Sequence, residues 1–107
     1  MDRYSVLWID SARDDLYKIV EYIAAENEQT AHRIYNKIKS KADSLVLFPN
    51  KGRVVPEFSG FHINLYREVI EFPWRIIYRI QESNVIVLAI IDGRRDVEDV
   101  LFERILK

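Results

Sequence analysis

Arg53, Arg67, Arg75, Arg79, Arg94 and Arg95 crowd into the second half of the chain, several of them beside strongly apolar runs where free charge is unexpected. A guanidinium presents its donors in a planar fork that fits carboxylate or phosphate two bonds at a time, so a convergent group of arginines makes a surface for an anionic target or partner. Taken singly, each arginine has a candidate ion-pair partner among Glu57, Glu68, Glu71, Glu82, Asp92 and Asp96. Taken as a set they read as a binding surface, because Gly93-Arg94-Arg95-Asp96 stands at a strand end, where functional side chains are often presented. Acid–base chemistry needs a group that titrates near neutrality. His62 is the candidate beside the arginines, although a single histidine at a strand start is more often structural or simply exposed. His32 falls on a helix and is assigned no role, while Tyr66 and Tyr78 are proton donors on strands, where aromatic side chains usually pack.

Other chemistries are poorly supplied. The chain has no cysteine and three glycines, Gly52, Gly60 and Gly93, so thiolate catalysis is excluded and a phosphate-cradling glycine loop is not expected. No Gly-x-Ser-x-Gly elbow occurs, and the widely separated His32 and His62 match no metal-ligand spacing, so neither a metal nor a cofactor is expected. A formal net charge of -1 excludes a global basic field but leaves room for a local patch. The longest apolar run, Val85 to Ile91, is too short to cross a bilayer, and the N-terminus lacks the apolar segment of a signal peptide. These features describe one cytoplasmic domain over residues 1–107, large enough for one modest core.

The elements that position the arginines follow from periodicity. Tyr4 to Ile9, rich in β-branched and aromatic residues, reads as a strand. Asp10 or Ser11 is placed to cap the next helix, whose Leu16, Ile19, Val20 and Ile23 form one apolar stripe and whose end falls near Asn27. A second helix over about Gln29 to Leu47 buries Ala31, Ile34, Tyr35, Ile38, Ala42, Leu45 and Val46, and the short connection makes a helix hairpin. Phe48-Pro49-Asn50-Lys51-Gly52 breaks the pattern, and Arg53 to Phe61 reads as irregular. Strands are expected at Ile63 to Phe72, Trp74 to Gln81 and Val85 to Ile91, with Glu82-Ser83-Asn84 as a hairpin turn. Val85 to Ile91 is apolar on both faces and should be central. Asp96 to Leu106 is an amphipathic helix or a turn-rich tail. The expected class is α+β, in the order β-α-α-β-β-β with a C-terminal α, the helix hairpin packed on one face of a mostly antiparallel sheet. Trp74, Ile76, Tyr78 and Ile80 should lie under the hairpin, leaving Arg75, Ile77 and Arg79 on a face turned to solvent or a partner.

Several segments resemble the RelE/ParE toxin superfamily in order and spacing. They are Ala12-Arg13-Asp14-Asp15-Leu16 with Ile19 and Tyr22-Ile23, then Leu47-Phe48-Pro49-Asn50-Lys51-Gly52-Arg53 with Val55-Pro56-Glu57, then Tyr66-Arg67-Glu68-Val69. Trp74-Arg75-Ile76-Ile77-Tyr78-Arg79-Ile80 and Val87 to Asp96 complete the set. The resemblance implies the toxin of a type II toxin–antitoxin pair, held in a hetero-oligomer by a cognate antitoxin whose acidic, partly disordered segment folds onto exposed apolar and arginine-bearing surface.

The superfamily contains two activities. RelE-like members are ribonucleases that cut messenger RNA on the ribosome, and ParE-like members poison DNA gyrase. Arg75 matches one arginine of the ribonucleases and Arg95 a second, which would leave His62 as the base. Against that, Arg67, Glu68 and Glu71 stand where lysines are expected, Leu101 stands about where a tyrosine falls, and Val97 to Lys107 contains neither tyrosine nor histidine. Metal-free phosphodiester cleavage needs proton transfer as well as charge stabilisation. The resemblance therefore implies a ParE-like inhibitor of gyrase without catalytic residues, which would meet its target or partner through Arg53, Arg67, Arg75, Arg79, Arg94 and Arg95. A ribosome-dependent ribonuclease is the first alternative, and a non-toxic member that only binds antitoxin is the second.

Overall fold

The computed structural model describes residues 3–105. A first strand, β1 (Ser5–Trp8), leads into a helix hairpin of α1 (Asp10–Ala24) and α2 (Glu28–Asp43), the latter prolonged by a 3-10 turn at Ser44–Val46. A short strand β2 (Arg53–Val54) and a 3-10 helix at Pro56–Phe61 follow. Then come β3 (Tyr66–Glu71), β4 (Trp74–Gln81), β5 (Asn84–Asp92) and a C-terminal helix α3 (Val97–Arg104). The expected tail extended to Leu106, which lies outside the described residues. No described helix is long and apolar enough to cross a membrane.

Local chemistry explains most boundaries, with corrections at the helix ends. Neither Asp10 nor Ser11 caps α1; Ile9 occupies the cap without a side-chain bond, and Asp10 instead pairs with Arg13 at 2.7 Å inside the first turn. Asn27 belongs to the start of α2 rather than to the end of α1, which closes at Ala24. Its backbone is extended, and its side chain accepts from the Thr30 N–H at 2.9 Å as the N-cap of α2. The connection is so short that its asparagine starts the second helix rather than ending the first. The stretch from Arg53 to Phe61, expected to be irregular, carries β2 and the 3-10 helix, with Pro56 in the first turn where its missing N–H costs nothing.

The five strands form one mixed sheet in the order β1-β5-β4-β3-β2. β1 runs parallel to β5, and the other pairs are antiparallel, so the class and the packing of the hairpin on one face are as expected. Leu16, Ile38, Ala42 and Leu45 pack there against Val69, Ile76, Tyr78, Val85, Val87 and Ile90, with Trp74 and Ile80 at the margin. β5 is central and covered on both sides. In the pairing of β4 with β5, Ile77 faces Ala89 while Tyr78 faces Val87, which leaves Leu88 as the extra residue of a bulge. The bulge switches the alternation. Val85, Val87 and Ile90 point to the hairpin, and Ala89 and Ile91 to the other face.

That other face is not open. Val55, Phe58, Ile77, Ala89, Ile91, Val97 and Leu101 form a second core beneath the 3-10 helix and α3. Edge-on aromatic contacts of Phe58 with Tyr66 and Phe102, at 5.4 and 5.8 Å, close it. The expectation that Arg75, Ile77 and Arg79 face solvent is corrected accordingly: Ile77 is fully buried and Arg75 is only 7% exposed. A sheet this apolar on both sides needs two covers, and the segments that read as irregular and tail supply the second.

Candidate functional site

Alternation along the strands decides where each arginine goes. Arg53 pairs in register with Glu68, and Ile70 with Arg75, so Arg53, Glu68 and Arg75 share the face under the 3-10 helix. Glu68 is completely buried, and it accepts from Arg53 Nε at 2.6 Å through one oxygen and from Arg75 Nε at 2.6 Å through the other. Arg75 then reaches across to Glu57 on the 3-10 helix, Nη1 to Oε2 and Nη2 to Oε1, both at 2.7 Å. Every nitrogen of Arg75 is engaged. Buried ions persist when opposite charge and hydrogen bonds replace water, and this chain of Arg53, Glu68, Arg75 and Glu57 meets that condition. The hydrogen bonds from Arg75 hold the Glu57 carboxyl below its ordinary range against the opposing effect of burial, and the bonds to Glu57 and then Glu68 raise Arg75. The network pins the 3-10 helix to the sheet.

Arg67 lies on the opposite face, in register with Tyr78, and donates to the Gly52 carbonyl at 2.8 Å. The Tyr78 hydroxyl completes this lock, donating to the Pro49 carbonyl at 2.6 Å and accepting from the Gly52 N–H at 3.0 Å. Burial raises the Tyr78 phenol. Arg79 donates to Gln81 at 2.9 Å near the far end of β4. His62 is exposed and left-handed, with φ 57°, as the cap of the 3-10 helix. Among the described residues its ring makes no hydrogen bond to Arg75 or Arg95.

Arg94 and Arg95, at the C-terminal end of β5, make no hydrogen bond or ion pair with the network, although Gly93 beside them packs against Arg75. The Gly93 N–H donates to the Pro73 carbonyl at 2.7 Å, tying this corner to the β3–β4 turn, and a Cβ on Gly93 would come 3.1 Å from that carbonyl and 3.2 Å from Arg75 Cδ. Arg94 clasps Asp92 with bonds of 3.0 and 2.7 Å, which hold the Asp92 carboxyl at about 2. Beside them a cleft of about 550 Å³ opens between α1 and the ends of β4 and β5. Ile19, Ile23, Trp74 and Ile90 line it, and Lys18, Tyr22, Arg94 and Arg95 stand around them. Lys18 and Tyr22 join this cleft without having been marked as site residues by motif or charge in the sequence. Their signal was spacing, since Asp15, Lys18 and Tyr22 repeat at helical intervals alongside the apolar stripe of Leu16, Ile19 and Ile23.

The arginines therefore do not converge on one accessible patch. Arg53 and Arg75 are bound into a structural ion network, Arg67 props a loop on the other face, Arg79 sits near the β4–β5 turn, and Arg94 and Arg95 flank a cleft at the opposite end of the sheet. Among the described residues no group of three or more histidine, aspartate and glutamate side chains is placed to hold a metal ion.

Comparison with known proteins decides the relationship. The family model for the ParE toxin of type II toxin-antitoxin system, parDE, matches residues 6–97. The chain belongs to the ParE toxin family. No curated protein matches it in sequence. Among solved structures, it is similar to a chain of the chromosomal ParDE toxin–antitoxin system from P. aeruginosa, with a TM-score of 0.69 and 19% identity over 84% of this chain and 96% of that one. It is also similar to a chain of the toxin–antitoxin complex RelBE2 from Mycobacterium tuberculosis, with a TM-score of 0.64 and 21% identity over 86% and 93% of the two chains. At such identities the likeness establishes a shared fold. As a ParE family member, the chain is the toxin side of a type II toxin–antitoxin system.

Proposed function

We propose that this ParE family toxin inhibits DNA gyrase in the cytoplasm by binding rather than by catalysis, and that a cognate ParD-like antitoxin neutralises it in a hetero-oligomer. The state of Arg75 carries this reading. A ribonuclease of the RelE kind would need that guanidinium at the scissile phosphate, yet here its nitrogens are occupied by Glu57 and Glu68 and its side chain is 9% exposed. Opening it would leave Glu57 and the fully buried Glu68 short of their partner, a large cost to meet on each turnover. His62 is an exposed loop cap with no hydrogen bond to Arg75, so no proton-transfer group is tied to that guanidinium.

In this reading the target contacts come from Arg94 and Arg95 at the sheet end, with the exposed Arg53 and the half-buried Arg79 at the margins. The antitoxin covers apolar surface that the fold leaves uncovered. Leu7 on the edge strand β1 and Tyr17 on α1 are about half exposed and line one groove, which a partner strand or helix can cover. A supercoiling assay with purified toxin tests the proposal. Gyrase should lose activity and accumulate cleaved DNA, and added antitoxin should restore it. Full gyrase activity at excess toxin, together with new cuts in translated message by primer extension, would instead establish the ribonuclease.

A further inference from the structure

The cleft between α1 and the ends of β4 and β5 combines two features that the ion network does not explain. Its carboxylates are already neutralised. Asp15 is held by Arg104 at 2.9 and 3.1 Å and by the Ile90 N–H, and Asp92 by Arg94. Its cations Lys18 and Arg95, by contrast, make no ion pair among the described residues. A chain of net charge -1 thus carries a local positive rim.

The second feature is aromatic. Tyr22 is 81% exposed, a large solvent-facing ring on an otherwise amphipathic helix, and Trp74 shows part of its ring to the same cleft. Among the described residues the aromatic pairs are made by Phe58, Phe61, Tyr66 and Phe102, so Tyr22 and Trp74 line one cavity without stacking on each other. Two unpaired rings with cations beside them are the elements of a site for a nucleotide, since base–ring stacking and phosphate–cation attraction together bind single strands.

We propose that this cleft takes one unpaired nucleotide of single-stranded DNA, its base against the Tyr22 and Trp74 rings and its flanking phosphate on Lys18 and Arg95. The choice of DNA over RNA rests on the gyrase reading, in which the toxin acts on an enzyme that cleaves DNA. The cleft lies on the helix-hairpin side of the sheet and does not include Arg75 or His62.

Tryptophan fluorescence tests this directly. The chain has two tryptophans, and Trp8→Phe leaves Trp74 as the reporter. Titration with an oligothymidylate of about ten nucleotides, within the range of known single-strand sites, should quench and shift the Trp74 emission. Tyr22→Ala should weaken binding by about fivefold or more through lost stacking. Lys18→Ala and Arg95→Ala should each weaken it and flatten its salt dependence by roughly one phosphate contact, whereas Lys37→Ala on α2 should not. Should Trp8→Phe fail to fold, the separate indole N–H resonances of the wild-type chain give the same reading by NMR. Absence of any change at Trp74, equal quenching by polyglutamate, or binding of oligouridylate but not oligothymidylate would each overturn the inference. Gyrase inhibition without oligonucleotide binding sinks the cleft and leaves the gyrase reading intact. Oligothymidylate binding with unimpaired gyrase does the reverse.

Discussion

Asp15 on α1 and Arg104 on α3 are joined by two hydrogen bonds, at 2.9 and 3.1 Å, across 89 residues of sequence. The same aspartate accepts the Ile90 N–H at 3.0 Å. β1 ends its pairing at Val87, so on that side of β5 this donor faces no strand, and Asp15 supplies the missing acceptor. One carboxylate thus satisfies a strand, anchors the first helix and fastens the last. We expect Asp15→Ala to cost about 2–3 kcal/mol in urea unfolding, in the range for a charged hydrogen-bonded group whose partner is left unmet. Arg104→Ala should cost less, because the Ile90 bond survives. A double-mutant cycle with no coupling between the two positions would contradict the arrangement.

Removing Arg75 should damage stability before it damages any specific activity. Arg75→Ala leaves Glu68 with Arg53 alone and Glu57 without its bidentate partner, and breaking a buried pair from one side costs about 3–5 kcal/mol. Circular dichroism should show a marked fall in melting temperature, with toxicity lost in proportion to folded protein. A variant that melts like the wild type yet has lost all toxicity would point to Arg75 acting on the target instead.

Gly52 is required by closeness. A Cβ there would lie 2.4 Å from the Glu68 carbonyl oxygen and 2.6 Å from the Tyr78 hydroxyl. Gly52→Ala must push the loop off β3 or displace Tyr78, for a cost of about 1–3 kcal/mol as in other overpacked sites. Tyr78→Phe removes the hydroxyl that bridges Pro49 and Gly52, leaving both backbone groups unmet at about 1–3 kcal/mol. Thermal unfolding that separates neither variant from the wild type would show that this lock is not formed.

Acid should weaken the fold through two carboxylates. Asp92 falls from 3.8 to about 2 in the folded state, chiefly through its hydrogen bond from Arg94, and Glu57 is lowered from 4.5, chiefly by Arg75. A depressed folded-state value means that protons bind the unfolded chain first. The Asp92 contribution is therefore complete above its ordinary value and is lost as the pH falls from 3.8 to about 2, and that of Glu57 is lost on the acid side of 4.5. Urea midpoints measured across that range should decline more gently in Asp92→Asn and Glu57→Gln than in the wild type. Parallel declines would remove these groups as the cause.

Much of the architecture could be read from residue order alone. The apolar spacing of Leu16, Ile19 and Ile23, and of Ile34, Ile38 and Ala42, specifies the two helices, and Trp74, Ile76, Tyr78 and Ile80 specify the strand face beneath them, because helix and strand periods are local properties. The apolar density of Val85 to Ile91 likewise marked a strand buried on both sides, and the ordered RelE/ParE-like segments pointed to the family.

Only the tertiary structure decided what the arginines do. Period and spacing say which way a side chain leaves its own strand, but not what a distant segment lays over it. Glu57 arrives on the 3-10 helix, Glu68 on the neighbouring strand, and α3 completes the second core, so Arg75 becomes an internal tie instead of an exposed contact. Arg67 departs to the opposite face, and Arg94 and Arg95 join Lys18, Tyr22 and Trp74, residues far apart in sequence that meet only where α1 crosses the ends of β4 and β5. A charge in a sequence has a sign and a position; its partner, and with it its role, is supplied by long-range packing.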